Sequence, residues 1–417
     1  MTSDQSVPLR RVFRVINGGT PTSDPENWDG SVPWATPVDL GAVSRTIEKT
    51  QRTLTPLGAR TGSRIVPAGS LILSTRAPIG YVAVANTALA FNQGCRALVP
   101  TTPLDIRYFY YQLSAATPYL QSLGQGSTFQ ELSSEALANY VVRVPGVEEQ
   151  RRIANFLDLE TGRIDQLEAL TEQQKSLESK RLAESIRLAT TTSLGSPNRE
   201  TGLSWMPLAS DAWPLLKISY AFSTGSGTTP SSSNAKYFEG DVPWVNSGDI
   251  VDGPIVATAK AVTSEALRDY PALNIFPSGA LVVAMYGAGA TKGRVGILNV
   301  SACVNQACCV LIGAGRITTE FAYYWFRSHR EGIVQLATGA GQPNLSQELI
   351  RALKMPAPTL DEQAAVVRRI RREEDASRVK IEALGKRQTL LAERRRALIT
   401  AAVMGKIDPT TARSVEV

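Results

Sequence analysis

Gly287-Ala288-Gly289-Ala290-Thr291-Lys292-Gly293 sets a lysine among small residues, the composition of loops that cradle phosphates. A phosphate loop needs glycine before its lysine and serine or threonine after it, where the hydroxyl reaches a metal ion. Here threonine precedes Lys292 and glycine follows it. The run therefore reads as a flexible connection between two strands that lets another backbone come close, with Lys292 and Arg294 free to meet phosphates or base edges. The one histidine, His329, has no second histidine for a metal site and no nucleophile in register, and in Arg327-Ser328-His329-Arg330 it reads as a surface residue. Of Cys95, Cys303, Cys308 and Cys309, the last three lie in apolar sequence around Val304 to Leu311, and the adjacent pair does not fit the Cys-x-x-Cys spacing of a metal site. They read as buried thiols of a cytoplasmic protein. Carboxylates are dispersed, at Asp24, Glu26, Asp29 and Asp39 and again at Glu239, Asp241, Asp249 and Asp252. No carboxylate cluster closed by a lysine, no Asn-Pro-Pro-aromatic methyltransferase motif and no glycine-rich cofactor fingerprint occurs. No catalytic residue, metal or directly bound cofactor is expected.

The order of motifs says more than any single one. Gly30, Val32-Pro33-Trp34 and Asp39 return at an offset of 210 as Gly240, Val242-Pro243-Trp244 and Asp249. At an offset of 213, Asn92-Gln93, Cys95, Leu132-Ser133, Pro145 and Glu149-Gln150 return as Asn305-Gln306, Cys308, Leu345-Ser346, Pro358 and Glu362-Gln363. A period above 200 residues means a duplicated module, not a solenoid. Asp39 and Asp249, repeated inside the shared neighbourhood, read as turn or capping residues.

Each copy changes character partway. Short β-like runs (70–73 and 81–84; 279–285 and 294–298) and an amphipathic helix (106–120; 319–336) predict a mixed α+β globule. Trp34 and Trp244 read as core. After Pro145 and Pro358 the pattern turns helical, with acids in the first turn to complement the helix dipole. Ile153, Leu157, Ile164, Leu167, Leu170 and Leu177 recur at three- and four-residue steps or their sums, the second stretch carries Val366, Ile370, Val379, Leu384, Leu391 and Leu398, and such stripes ask for a helical partner. A helix of about 40 residues is roughly 60 Å long. The expected fold is α+β: two similar mixed α/β domains separated by long antiparallel helices that form a coiled-coil spacer, with a pseudo-twofold internal repeat. Boundaries follow at 1–145, 146–192, 193–358 (193–206 a linker), 359–405 and a tail 406–417. Breaks are expected near Gly162 and Gly385. The net charge of +6 is concentrated at Arg368, Arg369, Arg371, Arg372 and Arg394 to Arg396, clusters that suit phosphates or a partner-binding helix face equally. The N-terminus lacks a secretory pattern, and no apolar run is long enough for a membrane span.

These features resemble the specificity subunit of type I restriction–modification systems. The resemblance rests on the paired Val-Pro-Trp strands followed by Asp39-Leu40 or Asp249-Ile250, the Asn-Gln turns, and the Leu-Ser to Glu-Gln passages into long helices. It extends to Gly202-Leu203-Ser204-Trp205 followed by Trp213-Pro214-Leu215, and covers almost the whole chain. Copy one departs from it: the upstream Gly-x-x-Trp passage is missing and the chain starts directly at Pro8-Leu9-Arg10-Arg11, as an N-terminal trim of a quasi-cyclic repeat. The resemblance implies target-recognition domains that each read half of a bipartite double-stranded DNA site. It implies methyltransferase subunits, carrying S-adenosylmethionine, docked on the helices, and restriction/translocase subunits that use ATP and Mg. The contact candidates are loop residues that differ between the copies: Thr20, Thr22, Lys49, Arg52, Arg60, Arg64 and Arg76, and Thr228, Thr229, Ser232, Lys236, Lys260, Tyr286, Lys292 and Arg294. The competing reading is a two-headed protein–protein scaffold.

Overall fold

The computed structural model describes residues 5–125, 130–193, 196–287, 291–338 and 343–408. The chain divides into two compact units, Met1–Glu172 with Gly385–Val417, and Gln173–Leu384. Both units draw on two unbroken helices, Val147–Thr191 and Leu360–Val403. Among the described residues no helix is long and apolar enough to cross a membrane.

In the first unit a five-stranded sheet runs Phe13–Asn17, Cys95–Pro100, Leu71–Ser74, Val82–Ala85, Thr46–Ile47, antiparallel except for its last, parallel pair. Leu71–Ser74 and Val82–Ala85 are buried along their whole length, and they read as continuous apolar runs because both faces of the sheet are covered. Leu71 and Leu73 pack with Phe13, Phe109 and, from the long helix, Ile153 and Leu157. Ile72, Ala83 and Ala97 face Leu40, Ile47 and Phe91 on the other side. A smaller sheet joins Arg52–Leu54, Trp28–Ala35, Leu89–Phe91 and Ile65–Val66.

The second unit repeats this plan. Its large sheet runs Phe222–Gly225, Cys308–Gly313, Leu281–Ala284, Val295–Leu298, Pro254–Ile255, and its small one Lys260–Val262, Phe238–Val245, Cys303–Val304. It also has a hairpin, Asn198–Leu203 with Met206–Ser210, that has no counterpart among the described residues of the first unit. The recurrence of Gly30 and Gly240 has a steric cause. Each sits in a bulge, where Trp28 and Val32 both oppose Leu54, and Phe238 and Val242 both oppose Val262. A Cβ on Gly30 would lie 2.4 Å from the Thr55 Cα, and one on Gly240 would lie 2.3 Å from the Val262 carbonyl oxygen.

The long helices pair antiparallel inside each unit. In the first, Arg395 meets Asp165 and Gln388 meets Glu172 at 3.1 Å. In the second, Ser185 meets Glu373 and Lys380 meets Glu178 at 3.6 Å. Both helices run through the glycines expected to break them. Nothing lies within 4 Å of a Cβ placed on Gly162 or Gly385, and a mid-helix glycine costs only about 1 kcal/mol. Of the stripe residues, Ile153, Leu157, Ile164, Ile370 and Leu391 are buried, and Leu167, Val366, Leu384 and Leu398 half-buried. Leu170, Leu177 and Val379 are 53, 56 and 60% exposed. Thr171, next to Leu170, and Ser377, two residues before Val379, are buried instead, and each residue along a helix turns the side chain by about 100°.

The expected amphipathic helices are each split in two, Ile106–Ala115 with Thr117–Ser122 and Thr319–Ser328 with Arg330–Gln335. His329 occupies the second junction and is not a surface residue. It is 4% exposed, stacks on Trp325 at 5.2 Å, and shares a 2.9 Å hydrogen bond between Nδ1 and the Trp325 carbonyl. Its polar neighbours in sequence misled because the hairpin covers it, with Trp205 edge-on at 6.3 Å. Burial pushes its pKa down from 6.5 to about 4. Acid therefore favours the unfolded chain, where the imidazole protonates freely. The stabilisation is complete above pH 6.5 and is lost as pH falls toward 4, amounting to about 3 kcal/mol. His329→Gln should flatten that acid limb in urea unfolding at pH 7 and pH 5, whereas parallel losses in both proteins would assign the limb to other groups.

Candidate nucleic-acid interface

One set of hydrogen bonds builds the same surface in both units. The Trp34 indole donates to the Gly19 carbonyl at 3.1 Å, and that of Trp244 to the Thr228 carbonyl at 3.2 Å. Thr20 bonds Gln93, and Thr229 donates to Gln306 at 2.5 Å. Asn92 and Asn305 each accept from the amide two residues on, at 3.0 Å. Asp39 closes a capping box with Thr36 and accepts from the Gln51 amide at 2.8 Å. Asp249 does so with Asn246 and accepts from the Ala259 amide at 3.3 Å. These carboxylates are occupied by turns, which ties the loops to the small sheet.

On this framework the candidate residues fall into two groups per unit. In the first unit, Thr20, Thr22, Lys49, Arg52, Arg60 and Arg64 are exposed on the small sheet and its connections. Thr22 donates to Asp24 at 2.6 Å. Arg76 stands apart, in the loop after Leu71–Ser74, held to Glu131 at 3.0 Å. In the second unit, Thr229, Ser232, Lys236 and Lys260 are exposed around the small sheet, with Thr228 half-buried. Tyr286, Lys292 and Arg294, all half-buried, belong to the loop between Leu281–Ala284 and Val295–Leu298. Lys292 bonds the Pro343 carbonyl, and residues 288–290 of the glycine-rich run lie outside the described residues.

The paired registers make Arg52 and Lys260 equivalents, opposite Trp34 and Trp244. Arg52 lies 3.5 Å over the Trp28 ring and Lys260 lies 5.5 Å from the centre of the Phe238 ring. An aromatic face under a cation fixes its position while leaving its donors toward solvent. Lys236 differs, since Glu265 at 2.8 Å and Asp269 at 3.6 Å already neutralise it; its pKa is raised chiefly by the bond to Glu265.

The sequence reading did not single out Glu131, which holds both Arg76 at 3.0 Å and Arg96 at 3.2 Å. Nor did it single out Trp28 and Phe238 as supports. Local sequence carries no sign of a 55-residue contact such as Arg76 to Glu131. The surface offers cations, hydroxyls and amides, the donors that bind phosphates and base edges. Burial pushes the thiols of Cys95, Cys308 and Cys309 up to about 12 and that of Cys303 to about 11, so none is ionised near neutrality. Among the described residues no group of His, Cys, Asp or Glu is arranged to hold a metal ion.

Comparison with known proteins agrees with the duplication. The family model for the type I restriction modification DNA specificity domain matches twice, over residues 4–177 and 213–390. The MjaIX specificity subunit of Methanocaldococcus jannaschii is 27% identical over 298 residues, covering 70% of this chain and 68% of that protein. The EcoR124I/EcoR124II specificity subunit of Escherichia coli is 25% identical over 159 residues, 36% of this chain and 39% of that one. The HsdS subunit from Thermoanaerobacter tengcongensis shares the fold, with a TM-score of 0.57 at 15% identity and 97% of both chains covered. A chain from a structure of type I R-M complex assembly and conformational transition superposes with a TM-score of 0.71 at 14% identity, over 98% of this chain and 99% of that one. Two specificity-domain matches on two units built to one plan leave one assignment: this chain belongs to the type I restriction–modification specificity (HsdS) family, as a DNA-recognition subunit with no catalytic activity of its own.

Proposed function

We propose that each unit reads one half of a bipartite duplex site through its small sheet and adjoining loop, and that the paired helices set the gap between the halves. The observation that carries this is the equivalent placement of Arg52 and Lys260, one chemistry held twice on a repeated framework whose surrounding loops differ. Thr20, Thr22, Lys49, Arg60, Arg64 and Arg76 would extend the reading surface in the first unit. Thr228, Thr229, Ser232, Tyr286, Lys292 and Arg294 would do so in the second, with Lys236 engaged only if its acidic partners release it. A good bidentate base contact is worth about 1–3 kcal/mol, and joining two modest readers makes the second binding event intramolecular.

The partners in this reading are methyltransferase subunits that carry S-adenosylmethionine and flip out an adenine, and restriction/translocase subunits that use ATP and Mg. The exposed leucines of the long helices suit the docking of the former. Leu177 and Leu390, 213 residues apart, are 56 and 64% exposed, so a partner fitted to one meets the same side chain again at the other.

Selection from a random duplex library, with modification subunits present, should enrich two short motifs at fixed spacing. Enrichment of one uninterrupted motif, or of none, would favour the scaffold. Arg52→Ala should weaken binding by about 10- to 100-fold and relax one position if it reads a base. If it meets a phosphate, the loss should be uniform across sequences and the salt slope should fall by about one. Seven residues inserted into each long helix should lengthen the preferred gap, and an unchanged gap would show that the helices are not the ruler.

A further inference from the structure

Several of the candidate cations have already spent their donors. Arg76 is held by Glu131, Lys236 by Glu265 and Asp269, and Lys292 by the Pro343 carbonyl. The Arg52 side chain makes no hydrogen bond and no ion pair among the described residues, yet its position is fixed. Its guanidinium carbon lies 3.5 Å over the centre of the Trp28 ring and 5.9 Å from that of the Trp34 ring. The two rings meet at 87° with centroids 5.1 Å apart, so they form a corner. Trp28 is pinned by its indole, which donates to the Thr22 carbonyl at 2.8 Å. The strand backbone is held as well, because the Thr50 hydroxyl donates to the Arg52 carbonyl at 2.7 Å and accepts from the Trp34 amide at 2.9 Å.

At 3.5 Å a guanidinium lies flat on the ring, since a tilt would drive one of its nitrogens into the ring carbons. Its N–H groups then point sideways in one plane, with their rotation already restricted. A planar fork of this kind fits two acceptors, a phosphate or the O6 and N7 of guanine in the major groove. The neighbours choose between them. Asp24, Glu26 and Asp29 are exposed on the segment that carries Trp28, and none forms an ion pair among the described residues. A phosphate at Arg52 would approach these carboxylates and be repelled. A base edge carries no net charge. It also offers what a carboxylate accepts, because the cytosine paired with guanine presents its N4 amine in the same groove. The second unit differs at both places. Glu26 is matched by Lys236, since their carbonyls accept from the hydroxyls of Thr55 and Thr263 at 2.7 and 2.8 Å. Arg52 is matched by Lys260, an ammonium with no plane, 5.5 Å from the centre of the Phe238 ring.

With the small sheets taken as the DNA surface, the reading on which this rests, we propose that Arg52 reads a guanine of the first unit's half-site through O6 and N7. Lys260, at the matching place, supplies charge without choosing a base.

The test uses the full chain with modification subunits and the duplex that this complex selects. Its guanines are replaced one at a time by 7-deazaguanine, which lacks N7 and keeps Watson–Crick pairing. One replacement should weaken wild-type binding about 10-fold and should cost the Arg52→Ala chain nothing further. Inosine at that position, which lacks only the minor-groove amine, should bind as guanine does. Arg52→Lys keeps the charge and removes the fork. It should preserve the salt dependence and lose the guanine preference, while the other half-site is selected as before. Lys260→Ala should weaken all sequences alike and lower the salt slope by about one. Three results overturn the guanine assignment: no guanine sensitive to 7-deaza replacement, a penalty that persists in Arg52→Ala, or a loss in Arg52→Ala shared by every sequence. A base preference that disappears with Lys260 overturns the contrast between the units. Selection of no split motif by the wild type overturns the DNA reading of the small sheets, and the assignment falls with it; a split motif whose guanines ignore Arg52 overturns the assignment alone.

Discussion

A buried glutamine joins each globule to its long helix. Gln150, in the first turn of one helix, donates to the Pro145 carbonyl at 2.8 Å and accepts from the Asp105 amide at 2.9 Å. Gln363 donates to the Pro358 and Arg316 carbonyls at 2.9 and 3.0 Å and accepts from the Thr318 amide at 2.7 Å. Both side chains are almost wholly buried. Losing either would strand buried backbone groups, at about 1–3 kcal/mol for each group left unpaired. The direction in which each helix leaves its globule is set here, and so is the placing of the helices Ile106–Ala115 and Thr319–Ser328, which start beside the same amides. Further ties follow the same path: Tyr111 to Asp158 at 2.7 Å in the first unit, and Tyr324 to Glu374 at 2.8 Å in the second.

Above these joints the molecule separates constant from variable. Residues that recur, Trp34 and Trp244, Asp39 and Asp249, Gln93 and Gln306, spend their hydrogen-bonding capacity on the fold. Outward charge is carried around them, by Arg52 and Lys260 at equivalent positions and by loop residues that differ between the copies. A DNA reader needs that division, since a side chain that holds a turn cannot change with the target without loosening the turn.

The duplication, the α+β class of the halves and the long helices were legible because they rest on order and periodicity, which a linear sequence displays. The structural roles of Asp39 and Asp249 were legible for the same reason, since both stood inside a repeated neighbourhood. Contacts that close at a distance were not. His329 looked solvent-facing among arginines and serine, and only the hairpin more than a hundred residues upstream explains its burial. The helix seam was legible in outline and wrong in detail at Leu170, Leu177 and Val379. Counting apolar steps finds leucines, whereas the buried positions beside Leu170 and Val379 are the polar Thr171 and Ser377. The candidate surface was the least legible part, because exposure and charge do not distinguish Arg52, propped on Trp28, from Lys236, already neutralised.

The paired bulges in the Val-Pro-Trp strands bear on how such a protein diversifies. Asp29 and Glu239 take positive φ values of 57° and 63° just before the obligatory glycines, a conformation that non-glycine residues adopt rarely. Each bulge takes up its extra residues between Trp28 and Val32, or between Phe238 and Val242, so that Trp34 and Trp244 still face Arg52 and Lys260. A length change confined to either bulge is therefore absorbed locally and does not propagate into the register of the tryptophan pairs.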